Sequence, residues 1–318
     1  MRAAIIGLGV IGKVHYQVLR ELGEEIVALC DVDLSKLAAY EGPRHYADYT
    51  EMLERERIDV VHVCTPHYLH AEMVVEALGR NINVLCEKPL CISSEEIERI
   101  LQAAKASKGR LGVCFQNRYN HSSLYAKRYL EGKSIDRAQG ILRWHRDAAY
   151  YATGAWRGKW ATEGGGVLIN QAIHTVDLLQ WLVGMPAMVQ GETSNRSLAG
   201  VIEVEDTAEA RFWGGGEFSL FATNASPQDY PIELHIEAAG HTLLVTPDRV
   251  VLDGAEVDVT SEGYLGKASY GNGHHKLIAD FYDCVQSGRP FPIDGEEGAK
   301  ALRLVFAVYR SKGEPTLV

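Results

Sequence analysis

The sequence predicts an α/β chain in two parts: a doubly wound parallel sheet at the N-terminus, then an α+β domain whose open sheet is largely antiparallel. Three observations carry this. Apolar runs alternate with helical patterns from residue 1 to about 116, the order that builds parallel sheets. The first run passes directly into a glycine turn and a helix over 3–22. From Ala187 to about Val259 strand patterns follow one another without helices between them, which requires antiparallel pairing.

The first stretch, AAIIGLGVIG at 3–12, places Gly7, Gly9 and Gly12 in the pattern G-x-G-x-x-G. Gly7 suits a tight turn, Gly9 a close approach of backbone to a pyrophosphate, and Gly12 close packing of helix on strand. Val10 and Ile11 open the helix, whose free N–H groups and partial positive charge suit phosphate. Ile11, Val14, Val18, Leu19 and Leu22 recur at helical spacing. A second apolar run, Glu25 to Cys30, ends at Asp31, about where a ribose-binding carboxylate is expected. An Asp there accepts from the 2′-hydroxyl and repels a 2′-phosphate. No Arg follows closely and Asp33 adds negative charge, so the reading is NAD rather than NADP. An ordinary strand–turn–helix without ligand is the plainer alternative.

Further along, a short helix is expected over Leu34 to Tyr40, a short strand at His45 to Ala47 and a helix over Tyr49 to Arg57. Ile58 to Cys64 is an apolar strand ending at Thr65-Pro66, and a helix over Leu69 to Gly79 follows. The strand at Asn83 to Cys86 ends at Glu87-Lys88-Pro89. Ser93 and Glu96 form a capping box for a helix to about Lys108, and Arg110 to Gln116 is the next strand. Ligands of such sheets bind beyond the carboxyl ends of the strands. Gly7, Asp31, Thr65, Pro66, His70, Glu87, Lys88 and Gln116 lie at or just past such ends, and are the expected cofactor contacts. Lys88 is also an acid/base candidate, because desolvation and neighbouring charge move a lysine toward that use. A solvated surface lysine is the bland alternative.

Composition narrows the partners. The 318 residues carry 32 basic against 42 acidic side chains, a net charge of −10 that disfavours nucleic acid and anionic membranes. At 46% hydrophobic the chain can bury sizeable cores. No apolar run reaches bilayer length and the N-terminus lacks a basic leader region, so a cytoplasmic protein is expected. The six cysteines show no C-x-x-C and no zinc spacing, and read as reduced, buried residues.

In the second half a helix is expected over His121 to Gly132, a strand over Gln139 to Arg146, a loop rich in Tyr, Trp, Arg and Gly over Tyr150 to Gly166, and a helix over Val167 to Val183. Gly214-Gly215-Gly216 joins two strands as a hairpin, and two helices close the chain. Arg118, Tyr119, Tyr151, Trp156 and Arg157 are candidates for a pocket: tryptophan faces suit sugar rings, and arginines suit carboxylate or phosphate. On one helix Asn170 and His174 would share a face, with Asp177 three residues on to orient the ring. His274 and His275 read as caps of a closing helix. His145, His174 and Asp177 have no convincing ligand spacing, so no metal is expected.

The motifs GLGVIG at 7–12, CTPHYLH at 64–70, EKPL at 87–90 and GGGVLINQAIHTVDLLQWL at 164–182 together resemble the Gfo/Idh/MocA oxidoreductases, over nearly the whole chain. The resemblance implies a Rossmann domain (1–118), then a substrate-binding and oligomerisation domain (119–318) whose closing helices pack back on the first. It implies that Lys88 is catalytic, with His174 as the second acid/base candidate. It supports a homodimer or homotetramer formed through the C-terminal sheet. Relatives commonly carry Asp where this chain has Asn170. Asn cannot ionise, which shifts the base role toward Lys88 and leaves Asn170 to position a substrate hydroxyl.

The expected function is NAD-dependent hydride transfer at a secondary alcohol of a polyol, sugar or sugar derivative. Lys88, Arg118, Tyr151, Trp156, Arg157, Asn170 and His174 are the expected substrate contacts. A redox-neutral NAD-using glycosidase and a non-catalytic NAD sensor are the alternatives.

Overall fold

Chain order places β1 (Arg2–Ile6), α1 (Val10–Glu21), β2 (Glu25–Cys30), β3 (Arg44–Tyr46), α2 (Tyr49–Arg55), β4 (Val60–Val63), α3 (His70–Gly79), β5 (Asn83–Glu87), α4 (Ser94–Ala106) and β6 (Leu111–Cys114) in the first part of this computed structural model, which describes residues 1–259 and 273–318. Then come α5 (His121–Leu130), β7 (Ile135–Arg143), α6 (Ala148–Ala152), α7 (Trp160–Glu163), α8 (Ile173–Val183), β8 (Met188–Ser194), β9 (Thr207–Trp213), β10 (Phe218–Thr223), β11 (Glu233–Ala238), β12 (His241–Val245), β13 (Val250–Leu252) and β14 (Ala255–Val257). Helices α9 (Gly273–Ser287) and α10 (Gly295–Ser311) and strand β15 (Thr316–Leu317) close the chain. The chain divides into two compact units, Met1–Phe115 with His274–Ala299, and Gln116–Gly273 with Lys300–Val318.

The first unit is a six-stranded sheet in the order β3-β2-β1-β4-β5-β6, parallel throughout. Strands β4 and β6 are buried at every residue, as strands covered on both faces are. The order reverses beside β1, which pairs with β2 on one side and β4 on the other, and ligands of such sheets bind at that switch point. Helix α9 packs on β6 where Gly112 leaves room: a Cβ there would lie 2.7 Å from the Phe281 ring.

Local chemistry explains where elements start and stop. Ser93 accepts from the Glu96 amide at 3.2 Å, while Glu96 reaches back one residue further than a capping box requires, to the Ile92 amide. The helix expected over Leu34 to Tyr40 is a single tight turn, Leu34–Lys36. Asp33 accepts from both the amide and the hydroxyl of Ser35, and such side-chain bonds favour a turn over a continuing helix.

The second unit is a nine-stranded sheet in the order β14-β13-β12-β11-β7-β10-β9-β8-β15. Its ladders are antiparallel except for β7 with β10, which run parallel. Helix α8 lies on β7 at Gly140, where a Cβ would meet Thr175 at 2.6 Å and Leu179 at 2.8 Å. The expected loop over Tyr150 to Gly166 contains two short helices, the first capped by Asp147, which accepts from the Tyr150 amide at 2.9 Å.

The helix expected to begin at Val167 instead opens with a wide turn, Val167–Gln171, in which the Ala172 amide donates to the Val167 carbonyl at 2.7 Å; α8 begins only at Ile173. Glu205 fixes that opening. Its carboxylate accepts from the amides of Gly166 (2.8 Å) and Leu168 (2.9 Å), and its carbonyl from the amide of Val167 (3.0 Å). A Cβ on Gly166 would lie 1.9 Å from that same carbonyl oxygen, so only glycine fits.

Among the described residues, no helix is long and apolar enough to cross a membrane. All six cysteines are buried and unpaired.

Burial pushes the Glu205 carboxyl up to about 7, against the two amides and the Tyr309 hydroxyl that favour its ionised form. A folded value above the unfolded one gives stability that is full below about pH 4.5 and lost as pH rises through about 7. Glu205 should therefore lower the unfolding free energy by on the order of 2–3 kcal/mol between about pH 5 and 8. Urea denaturation at a series of pH values should show this fall in the wild type and a flatter profile in Glu205→Gln.

Candidate active site

The glycine turn after β1 is closed by backbone touching backbone. Gly7 has φ +93°, and a Cβ on it would lie 2.6 Å from the Cys64 carbonyl oxygen. A Cβ on Gly12 would lie 1.9 Å from the Gly7 carbonyl oxygen. Gly9, at the N-terminus of α1, has open space where a Cβ would stand, and no side chain caps the helix there. The first turn of α1 carries no acid, Val10 is 63% exposed and Ile11 half-buried. Amide donors with an open approach and no competing carboxylate fit a pyrophosphate.

Asp31 stands at the end of β2, buried, and accepts from the Leu8 amide at 2.8 Å and the Asp33 amide at 3.0 Å. Lys36 reaches both of its oxygens, at 3.1 and 3.3 Å. These bonds hold the carboxylate beside the glycine turn, the position that suits a ribose diol. The residues present thus fit a dinucleotide in both its phosphate and ribose portions.

Two further turns complete this end of the sheet. Thr65 and Pro66 follow β4 and are half-buried. Glu87 ends β5, and the Lys88–Pro89 peptide is cis. His70 ties the turns together: Nδ1 lies 2.7 Å from the Pro89 carbonyl and Nε2 2.8 Å from the Thr65 carbonyl. Burial pulls its pKa down while the two carbonyls and Glu87 push it up, and the net shift is downward. His70, an expected cofactor contact, is thus a buried brace between the two turns. Glu87 is buried and bonds His15 Nε2 at 2.9 Å. Burial pushes the Glu87 carboxyl up, but the hydrogen bond and charge of His15, then the charges of His274 and Lys88, hold it well below the usual carboxylate range.

In the second unit His174, in the first turn of α8, has Nε2 3.4 Å from the Gln116 amide nitrogen. Asn170 lies in the wide turn before α8, so the two do not share one α-helical face as their spacing predicts. Its amide donates to Glu163, a fully buried carboxylate that also accepts from the Gly158 amide. Arg118 is committed to Asp177 by two bonds, 2.7 Å from Nε and 2.5 Å from Nη2, both side chains being buried. Asp177 also accepts from Gln180.

The aromatic loop sorts into buried and half-buried residues. Tyr151 is buried, and its hydroxyl accepts from Asn224 at 3.1 Å. Tyr150, which the sequence did not single out, is half-buried, and its hydroxyl accepts from Arg157 at 2.6 Å and Gln171 at 3.2 Å. With two donors arriving, the Tyr150 hydrogen is left to point at an acceptor. Arg157 lies over Tyr150 and Trp156, 4.6 and 4.5 Å from the ring centroids. Tyr150, Arg157 and Trp156 are thus half-buried and stacked together, and Trp160 is an exposed aromatic of the same loop.

Sequence spacing gave no sign of Glu163, which meets Asn170 only because the three glycines at 164–166 turn the chain between them. His274 is the other departure. It is buried within α9, 3.9 Å from Glu87, rather than capping the helix.

Known proteins resemble both parts of the chain. Residues 1–115 match the profile described as "Oxidoreductase family, NAD-binding Rossmann fold", and residues 126–242 match "GFO/IDH/MocA C-terminal domain". An inositol 2-dehydrogenase of Arthrobacter sp. (strain FB24) is 39% identical, covering 97% of this chain and 98% of its own length. A myo-inositol 2-dehydrogenase of Thermotoga maritima is 26% identical over 99% of this chain and 97% of its own. The WlbA dehydrogenase of Bordetella pertussis, solved with NADH and UDP-GlcNAcA, superposes with a TM-score of 0.86 at 30% identity, covering 100% of this chain and 98% of that one. With both of its parts matched and a relative this similar along its whole length, the chain belongs to the Gfo/Idh/MocA family of NAD-binding oxidoreductases.

Proposed function

We propose that this protein is a dehydrogenase that interconverts a secondary alcohol and a ketone on a polyol, sugar or sugar derivative, with Lys88 as the base that takes the hydroxyl proton. One observation carries the reading: the Gly7–Gly12 turn, the Asp31 carboxylate and Lys88 all stand at the carboxyl ends of one parallel sheet. Bound NAD supplies the hydride acceptor at C4 of its nicotinamide. The chain's own residues orient and deprotonate. The amides at the start of α1 hold phosphate, and Asp31 accepts from ribose. Lys88 takes the proton as the carbonyl forms, and Glu87 beside it steadies the ammonium that results. His174, with Gln116 on its Nε2, is the second proton-handling group. Asn170, held by Glu163, presents its amide to a substrate hydroxyl, and Tyr150, Arg157 and Trp156 meet the rest of the substrate. The polyol and sugar-derivative classes come from the relatives: two are named inositol dehydrogenases, and one was solved with a nucleotide sugar acid.

The reading extends to a homodimer or homotetramer formed through the open face of the nine-stranded sheet. That face carries the half-buried Ile141, Met188, Trp213 and Phe221 among its polar residues. Buried, unpaired cysteines suit a reducing compartment, the cytoplasm.

Three outcomes follow. Lys88→Met should lower turnover by about 100-fold or more while the NAD dissociation constant, read by fluorescence titration, changes by less than about threefold; retained turnover refutes the base assignment. Light scattering should give two or four times the 35.1 kDa chain mass, and Phe221→Glu should lower it, whereas a monomer in the wild type refutes the interface. Asn170→Asp sets a second carboxylate against buried Glu163 and should cost about 2–4 kcal/mol in denaturant unfolding. Adding Glu163→Gln, which restores a donor–acceptor pair, should recover most of that loss.

A further inference from the structure

The loop after α6 carries a half-buried cation that has no counter-ion among the described residues. Arg157 touches the rings of Tyr150 and Trp156, 4.6 and 4.5 Å from their centroids. Arg146 touches Tyr150 and Trp144, at 5.1 and 4.8 Å. Trp144, Arg146, Tyr150, Arg157 and Trp156 thus form one chain of contacts, ring and guanidinium in turn. Contact with rings shields a guanidinium from water without using its N–H groups.

Two cations stand in this cluster and one is balanced. Arg146 Nη1 lies 2.8 and 3.2 Å from the two carboxylate oxygens of Asp229. Arg157 pairs with no carboxylate among the described residues; its hydrogen bond goes to the Tyr150 hydroxyl. The acids nearest to it in sequence serve other groups. Asp147 caps α6 at the Tyr150 amide, and buried Glu163 accepts from the Gly158 amide and from Asn170.

The hydrogens of the cluster all point one way. Arg157 gives one N–H of Nη1 to Tyr150 at 2.6 Å and keeps the rest. The Tyr150 oxygen also accepts from Gln171 Nε2 at 3.2 Å, so its own hydrogen is left to be donated. Gln171 is held in that orientation because its oxygen accepts from Asn224 at 3.1 Å. The cluster therefore offers donors and one unbalanced positive charge. A substrate hydroxyl placed here would find no acceptor for its hydrogen. A carboxylate or phosphate oxygen only accepts, and it brings the missing charge. Gln171 adjoins Asn170 in the wide turn before α8, so these donors are fastened to the turn that carries Asn170.

We propose that Arg157 and the Tyr150 hydroxyl bind an anionic group of the substrate, a carboxylate or a phosphate, and that the protein therefore prefers a sugar acid or sugar phosphate to a neutral polyol. The inference rests on the reading that the Asn170 turn meets the substrate. Arg157 determines specificity by holding a part of the substrate that does not react.

Calorimetric titration of the NADH-loaded protein with matched compounds tests this without turnover. The sets are D-glucose against D-glucuronate and D-glucose 6-phosphate, and myo-inositol against its monophosphate; the carboxylate and phosphate arms separate the two anions. In at least one set an anionic member should bind about 10- to 100-fold more tightly than its neutral partner at about 0.1 M salt. Arg157→Met should cut that preference by about tenfold or more. Arg157→Lys keeps the charge but not the planar fork, and should retain part of the preference. Neutral members that bind as tightly as their anionic partners overturn the proposal, as do anionic members that do not bind. So does a cooperatively folded Arg157→Met protein with the full preference. The wild-type comparison decides by itself where that variant does not fold. An anionic member that binds but yields no nicotinamide absorbance when NAD replaces NADH counts against the dehydrogenase reading and leaves this inference standing, so the two failures are distinguishable.

Discussion

Three backbone segments meet where no side chain fits, and the first unit depends on that contact. The turn after β1, the start of α1 and the end of β4 approach so closely that a methyl group on Gly7 or Gly12 would enter a carbonyl oxygen. Because the helix starts against the strand ends, its amides face the same way as Asp31, Thr65 and Glu87. Hydrogen bonds then lock the neighbours: the Leu8 amide to Asp31, and His70 to the carbonyls of Thr65 and Pro89. Cofactor recognition and fold are, at this point, the same set of contacts.

Buried carboxylates organise the rest. Each is costly to bury alone, and each is answered by a different group. Glu87 has an imidazole, Asp177 a guanidinium, Glu163 an amide side chain and a backbone amide, and Glu205 two backbone amides and a phenol. The choice of partner decides the charge that remains. The Asp177–Arg118 pair is neutral as a unit. Glu205 is answered by amides and a phenol, and burial pushes its carboxyl toward neutrality.

What was legible in the sequence was what depends on local pattern. The strand–helix alternation, the glycine turn, Asp31 and the Glu87–Lys88–Pro89 corner all follow from spacing along the chain, because each is defined by its own neighbours. The partners were not legible. Asn170 and His174 read as one helical face because four-residue spacing assumes an unbroken α-helix, and Glu205, some 35 residues away in sequence, replaces the first turn with a wider one. Tyr150 and Tyr151 are adjacent and identical in kind; only the fold turns one onto Asn224 and the other onto Arg157 and Gln171.

The proposed division of work between Lys88 and His174 rests on where the charges stand. An Asp at position 170 would bring negative charge into the segment preceding His174 and favour its imidazolium. Asn brings none, and one of its amide hydrogens goes to Glu163. Asp177 meets a guanidinium with both oxygens. In the first unit the balance is reversed: Glu87, held well below the usual carboxylate range, stands ionised beside Lys88. A base must exchange a proton without stranding a charge, and the carboxylate beside the lysine answers the ammonium that such an exchange would leave. An Asn at position 170 thus fits the proposal that the proton is handled first at the end of β5, with His174 as the second group.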